Sequence, residues 1–263
     1  MFRREMKVNL KSFIIWVSIL VGMFLLVFLM YPSIIKGSNA KMIDEMMQIF
    51  PPEVLKAFNM DIASMNSAFG WMKSEGFVFV LLIIGSYSAM LGSNILLKEE
   101  SDKTIEYLNS LPIKRKNIVL SKIFAGLIYI SLMIILLLAF NYVALLLSED
   151  FDQKQFLLLS ITPFFSCFVL FFVCMFLSTF THKSKKMIGV SLGIVFISYV
   201  LGLFSQLSES VEFLKYFSVF TLSDVRGVIM NNSLNVLGIL ISGGLSLLFI
   251  LLTLYRYSRK ELI

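Results

Sequence analysis

The sequence has few charged residues for its length. Only 15% of its 263 residues are charged and 58% are hydrophobic, which gives a mean hydropathy of +0.86. Soluble domains contain about 25% charged and about 45–50% apolar residues. A soluble protein of this size would lack the polar surface needed to cover so large an apolar interior. The composition therefore predicts a membrane protein.

Side chains that bind metals or carry thiol chemistry are also scarce. The chain has one histidine, His182, and two cysteines, Cys167 and Cys174. A single histidine excludes the His-rich patterns of zinc sites, and we interpret His182 as a solvated loop residue. On one helix the two cysteines would lie about 10 Å apart, beyond disulfide reach. The sequence also lacks the G-x-x-x-x-G-K-[ST] motif of nucleotide-binding loops, so ATP chemistry would belong to another polypeptide.

One short motif resembles a hydrolase signature. The residues from Gly189 to Gly193 read G-x-S-x-G, which functions only on a strand–turn–helix with a histidine and an acid beside the serine. Here the motif lies inside an apolar run. The same residues fit G-x-x-x-G, in which small residues let two helices approach closely. We therefore predict a helix-packing role for Gly189 and Gly193 and no catalysis.

Six apolar runs contain no Asp, Glu, Lys or Arg, and each is long enough to cross a hydrocarbon core of about 30 Å. They cover residues 13–31, 77–97, 123–147, 156–180, 187–207 and 234–255. The first run is longer than the apolar region of a signal peptide, so we expect it to be retained. The lack of charge within the runs disfavours an ion-coupled transporter. We predict an all-α membrane protein with one transmembrane domain, residues 1–263.

The basic residues predict the orientation. Sixteen of the 23 Lys and Arg residues lie in the N-terminal segment, the second and fourth loops and the C-terminal segment. The positive-inside rule places these four segments, and hence both termini, in the cytoplasm of a multi-pass cell-membrane protein. The pI of about 9.2 follows from this excess and does not indicate a nucleic-acid partner.

Two sets of residues alternate in the first ten positions. The apolar set is Phe2, Met6 and Leu10, and the basic set is Arg3, Arg4 and Lys7. This pattern predicts an amphipathic elbow helix lying on the inner leaflet of the bilayer. A disordered basic leader is the alternative.

The last external loop, residues 208–233, is semi-apolar, with residues such as Phe213 and Phe217. It predicts short re-entrant helices before the last span. Such backbone is stable only where protein or water covers its polar groups.

A charged segment, residues 99–122, separates the second and third spans. Ile105 and Leu108 share one face of a short helical pattern, and Pro112 ends it. A solvated linker would be the simplest interpretation. However, apolar residues are too frequent between positions 105 and 113 for a linker, so we predict a docking helix for a cytoplasmic partner.

This segment resembles the permease subunits of type-2 ABC transporters. In that family a Glu after the second span precedes Gly-Thr-Leu-x-x-Leu-x-x-x-Pro-x-x-Arg, and a Lys follows at the third span. Lys103 stands where the family usually has glycine, and Lys122 matches the final lysine. The resemblance assigns coupling to the ATP-binding subunit to Glu99, Glu100, Thr104, Ile105, Glu106, Leu108, Pro112 and Arg115.

The resemblance extends over the whole chain and implies a non-catalytic permease subunit of an ATP-driven exporter. Such a subunit works as a homodimer or heterodimer, and separate ATP-binding subunits hold the ATP and Mg²⁺. Compact six-span permeases are similar to exporters of amphipathic toxin or antimicrobial peptides, with drugs and lipids as further cargo classes. A membrane scaffold or immunity protein that binds cargo without transporting it is the alternative of another class.

Overall fold

The computed structural model describes residues 1–35, 67–105, 114–148 and 150–260, with only the backbone described for residues 31–35 and Glu209. These residues form helices and turns and include no strand. The α-helices are α1 (Phe2–Ile35), α2 (Ala68–Trp71), α3 (Phe77–Ser101), α4 (Arg115–Ser148), α5 (Gln153–Ile161), α6 (Pro163–Ser178), α7 (Ser184–Phe204), α8 (Val225–Asn231) and α9 (Val236–Arg259). A π-helical turn (Met72–Gly76) joins α2 to α3, and two 3₁₀ segments, Glu209–Phe217 and Val219–Ser223, precede α8.

Six helical stretches in the described ranges are long and apolar enough to cross a membrane, which confirms the predicted all-α membrane fold. Several of their bounds differ from those of the apolar runs, and some extend well beyond them. The first stretch begins at Phe2, and the second runs from Ala68 to Ser101 through α2, the π-helical turn and α3. Helical hydrogen bonds do not depend on apolar side chains, so a helix continues past the end of its hydrophobic run.

The predicted fourth span is divided into α5 and α6. Pro163 begins α6 and has no backbone N–H to donate to the preceding turn. Thr162 compensates, because both its backbone nitrogen and its hydroxyl donate to the carbonyl oxygen of Leu159, at 3.1 and 2.8 Å. The break therefore leaves this buried carbonyl with two donors.

The centre of the bundle is the contact of α3 with α6, and glycines make it possible. A Cβ atom added at Gly92 would overlap the backbone carbonyl of Phe171, and one added at Gly126 of α4 would overlap the Phe171 ring. In contrast, an added Cβ at Gly189 or Gly193 would have no neighbour within 4 Å. Gly92 and Gly126 therefore allow close packing of α3 and α4 against α6, whereas no residue in the described ranges packs closely on Gly189 or Gly193.

The semi-apolar loop packs on the bundle through neutral hydrogen bonds. The hydroxyl of Ser166 donates to the Val219 carbonyl at 3.0 Å, and Ser198 accepts from the Val219 nitrogen at 2.7 Å. Phe220 is buried against Gly85 of α3. The loop forms short helices before the last span, namely the two 3₁₀ segments and α8. The re-entrant placement predicted for them is not confirmed.

Candidate functional site

The predicted coupling segment begins where α3 ends. Lys103 follows the helix cap with φ 55°, a left-handed conformation that glycine adopts without strain. The nitrogens of Lys103 and Thr104 donate back to the carbonyls of Glu100 and Glu99, at 3.3 and 2.8 Å, and close a Schellman motif. This geometry explains why the family pattern has glycine at a position where this chain has lysine.

Part of the predicted segment lies outside the described residues, namely Glu106, Leu108 and Pro112. Of the others, Thr104 is half-buried and Ile105 is buried. Glu99 and Glu100, in the last turn of α3, are also buried. Because carboxylates are unfavourable at the negative end of a helix dipole, both require cationic partners.

Glu99 belongs to a buried ionic group, the Lys122 cluster, which consists of Glu5, Glu99 and Lys122. The ammonium nitrogen of Lys122 lies 2.8 Å from both carboxylate oxygens of Glu99 and 3.1 Å from Oε1 of Glu5. It also donates to the carbonyl of Ile95 at 2.6 Å. These contacts use the full donor capacity of the lysine. The cluster ties together α1, α3 and α4.

Glu100 belongs to a second group, the Glu100 cluster, which consists of Glu100, His182 and Lys260. The Lys260 ammonium lies 2.8 and 3.0 Å from the two Glu100 oxygens, and Nδ1 of His182 lies 2.7 Å from Oε2. Lys260 also donates to the carbonyl of Thr181 at 2.8 Å. This cluster joins the end of α3 to the turn after α6 and to the residue that follows α9.

Arg115, the first residue of α4, contacts the same end of α9 as the Glu100 cluster. Its guanidinium donates to the carbonyls of Lys260 and Ser258, at 2.9 and 3.4 Å. Lys98 makes a longer contact of 3.5 Å with the carbonyl of Val8. The four segments that the sequence assigns to one side of the membrane thus meet at one end of the bundle, which we call the basic end.

The first residues of α1 differ in burial from the predicted pattern. No break in the helix separates residues 2–11 from the first span, so a separate elbow helix is not confirmed. The buried face carries Glu5, Asn9 and Phe13, whereas Phe2 and Leu10 are exposed. Met6 is half-buried, and its carbonyl accepts a hydrogen bond from the Tyr129 hydroxyl. Arg3 and Lys7 are exposed and Arg4 is half-buried.

Three cluster residues were missed by the sequence reasoning. Glu5 was overlooked within a basic segment, and Lys260 within the C-terminal basic residues. His182, interpreted as a solvated loop residue, is half-exposed but hydrogen-bonded to Glu100. A signal for Glu5 existed, because Glu5, Asn9 and Phe13 are spaced by four and share a helix face.

Comparison with known proteins identifies the family of the chain. Neither curated proteins nor solved structures gave a significant match. The sequence model of the family described as ABC-2 family transporter protein matches residues 1–262. The chain therefore belongs to the ABC-2 family of transporter membrane proteins.

Proposed function

We propose that this chain is the transmembrane subunit of an ATP-driven exporter that works as a dimer with two separate ATP-binding subunits. Family membership supports the general role of a permease subunit in a membrane. Our proposal adds the outward direction, the second permease copy and the cytoplasmic location of both termini. It also assigns ATP and Mg²⁺ to the partner subunit, because this chain lacks a nucleotide-binding loop motif.

The observation that carries the proposal is the anchoring of both ends of the coupling segment. Glu99 and Glu100 hold the end of α3 through Lys122 and Lys260. Arg115 holds the start of α4 against the Lys260 carbonyl. The helix end before the segment and the helix start after it are therefore both held by side-chain contacts, and Lys260 takes part in both. A displacement of the segment by a partner would reach α1, α3, α4 and the end of α9 together.

This arrangement divides the predicted coupling residues into two groups. The positioning residues, which contact this chain itself, are Glu99, Glu100, Thr104, Ile105 and Arg115. We propose that the contact residues for the ATP-binding subunit are Glu106, Leu108 and Pro112. ATP binding would then close the partner subunits and shift the permease between states that differ in cargo access.

For the cargo we propose amphipathic peptides of the toxin or antimicrobial type, with drugs and lipids as alternatives. The chain contains 26 Phe and 15 Met residues. Flexible Met and flat aromatic side chains adapt to apolar surfaces of different shape. A cargo path lined by Phe and Met side chains would suit peptides with an apolar face and disfavour sugars.

Coupling is tested by co-purification of the ATP-binding subunit with the full chain. We expect Leu108→Asp to reduce the recovered ATPase at least about ten-fold, since it places a charge at an apolar contact. The matched control is Phe213→Asp, at an exposed apolar residue in the 3₁₀ segment Glu209–Phe217, which should leave recovery unchanged. Equal recovery with Leu108→Asp and the parent chain would overturn coupling through this segment.

Orientation is tested by labelling single introduced cysteines in intact cells with an impermeant maleimide. The native Cys167 and Cys174 are buried and should not react. We expect a cysteine at Lys215 to react and one at Lys185 to react only after the membrane is permeabilised. The opposite result would reverse the proposed orientation.

Export is tested with a labelled amphipathic peptide in inverted vesicles that contain the whole complex. We expect accumulation that requires ATP. Equal uptake with and without ATP would contradict the proposal of ATP-driven export. Peptide binding that ATP does not change would favour the scaffold or immunity alternative.

A further inference from the structure

A groove opens on the surface of the basic end, between the start of α1 and the first turns of α4. Its volume is about 440 Å³, and it is a shallow depression that is open to the surroundings rather than an enclosed cavity. It is lined by Phe2, Asn117, Leu120, Ser121, Phe124 and Ile128.

The groove has an apolar half. Leu120, Phe124 and Ile128 are spaced by four residues and form a stripe along one face of α4. They are 39%, 59% and 37% exposed. Phe2, also 39% exposed, contributes the facing wall from α1. In a membrane this stripe runs along the direction of the acyl chains, because α4 is one of the spanning helices.

The other half of the groove is polar and leads toward positive charge. Asn117 and Ser121 lie at this end. Lys116, one turn before Leu120, is exposed, as is Lys114, which directly precedes the helix. Neither lysine forms an ion pair within the described part of the chain. Arg115 between them is engaged with the Lys260 carbonyl. The positive end of the α4 dipole adds to the field of these two lysines.

We propose that this groove binds one anionic phospholipid from the leaflet on the basic end. The phosphate and the acidic headgroup would lie against Lys114, Lys116, Asn117 and Ser121. One acyl chain would follow the Leu120–Phe124–Ile128 stripe beside Phe2. Exposed lysines beside a membrane-embedded apolar groove match a ligand with a negative head and a hydrocarbon tail. The same lysines would repel a cationic amphipathic peptide, so this groove is not assigned to the cargo.

The bound lipid would act on the Lys122 cluster. It would contact α1 through Phe2 and α4 through Ser121, the residue before Lys122. The Glu5–Lys122 contact joins the same two helices. A ligand that bridges them stabilises this pairing, because it binds the paired form and not the separated one. The inference is independent of the proposed transport function, since no step in it uses ATP.

The experiment measures lipid binding and thermal stability of the purified full chain in detergent micelles. Dioleoyl-phosphatidylglycerol is compared with dioleoyl-phosphatidylcholine, which has the same tails and no net charge. We expect native mass spectrometry to show one retained phosphatidylglycerol and the melting temperature to rise with phosphatidylglycerol only. The combined variant Lys114→Gln, Lys116→Gln should weaken this binding about ten-fold or more, since each basic residue near a charged surface contributes about 1 kcal/mol.

Two further variants keep the test decisive. The control Lys185→Gln, Lys186→Gln removes the same charge from exposed lysines in the first turn of α7 and should retain the parent affinity. Leu120→Trp fills the groove without changing its charge. This variant should also abolish the preference for phosphatidylglycerol over phosphatidylcholine. Equal binding of the two lipids, or equal losses in the two lysine pairs, would overturn the proposal. Unchanged binding in Leu120→Trp would overturn the assignment to this groove.

Discussion

The Lys122 cluster and the Glu100 cluster lie at neighbouring residues of α3 and differ in their access to water. The Lys122 side chain is 0% exposed, and the Glu5 and Glu99 side chains are 3% and 6% exposed. In the Glu100 cluster the carboxylate is 1% exposed, but its partner His182 is 46% exposed. The first cluster thus places two carboxylates around one sealed ammonium. The second supplies one carboxylate with two partners, one of which is open to solvent.

The two clusters differ in how far they tolerate the loss of one partner. A buried ion pair contributes little net stability when it is intact, but removal of one partner leaves an uncompensated charge. Among the described residues Lys122 is the only cation within ion-pair distance of Glu5 and Glu99, whereas Glu100 keeps a second partner. We therefore expect the two lysines to differ in their importance for folding.

The largest effect is expected for Lys122→Met. This change leaves Glu5 and Glu99 buried without their ammonium, and we expect the free energy of unfolding to fall by about 3–5 kcal/mol. The measurement is a denaturant titration of the purified chain in mixed micelles. Lys98→Met is the matched control, because Lys98 makes only a 3.5 Å contact to a backbone carbonyl. A similar loss in both variants would contradict the central role of Lys122.

A smaller effect is expected for Lys260→Met. Glu100 would keep its 2.7 Å contact with His182, so we expect a loss of about 1.5–3 kcal/mol, the contribution of a hydrogen bond to a charged group. The same titration measures it. If Lys260→Met were as damaging as Lys122→Met, solvent access through His182 would not distinguish the two clusters.

Glu5→Gln tests how much each of the two carboxylates contributes to the Lys122 cluster. It removes the surplus carboxylate while Glu99 keeps both of its contacts with Lys122. We expect a change of about 1 kcal/mol or less, because an amide oxygen can still accept from the ammonium. Glu99→Gln is the comparison and should cost more. Equal costs would show that the two carboxylates share the lysine evenly.

The smallest effect is expected for His182→Ala. The imidazole is nearly half exposed and Lys260 remains beside Glu100, so we expect about 0.2–1 kcal/mol, as for other solvent-exposed pairs. Adding this change to Lys260→Met tests the link between them. The combined loss should exceed the sum of the two single losses, because Glu100 then has neither hydrogen-bond partner. Simple additivity would show that the two partners act independently.

Much of the fold was predictable because the bilayer sets the length of an apolar run. All six spanning stretches were located from such runs. The helix ends were not, since residues such as Lys122 and Glu5 belong to helices but not to apolar runs. The break before Pro163 was also missed. A proline inside an apolar run indicates a local interruption, and the prediction treated residues 156–180 as continuous.

The candidate site was predictable only in part. Glu99, Glu100 and Lys122 belong to a local pattern that the family resemblance exposes. Glu5 is distant in sequence from Lys122, and His182 and Lys260 are distant from Glu100, so only the packing of the helices brings these partners together. The unusual Lys103 was noticed as a departure from the pattern. The reason for the usual glycine is the left-handed backbone at this position. That backbone is seen only in the dihedral angle of the folded chain, not in the sequence pattern.

Phe171 has a further consequence for motion during a transport cycle. Its carbonyl lies at Gly92 and its ring at Gly126. The close packing of α3, α4 and α6 therefore depends on one residue, Phe171. Sliding any of the three along its axis would drive a larger neighbouring side chain into a space that fits none. We expect these three helices to move as one fixed frame when the subunit changes its access.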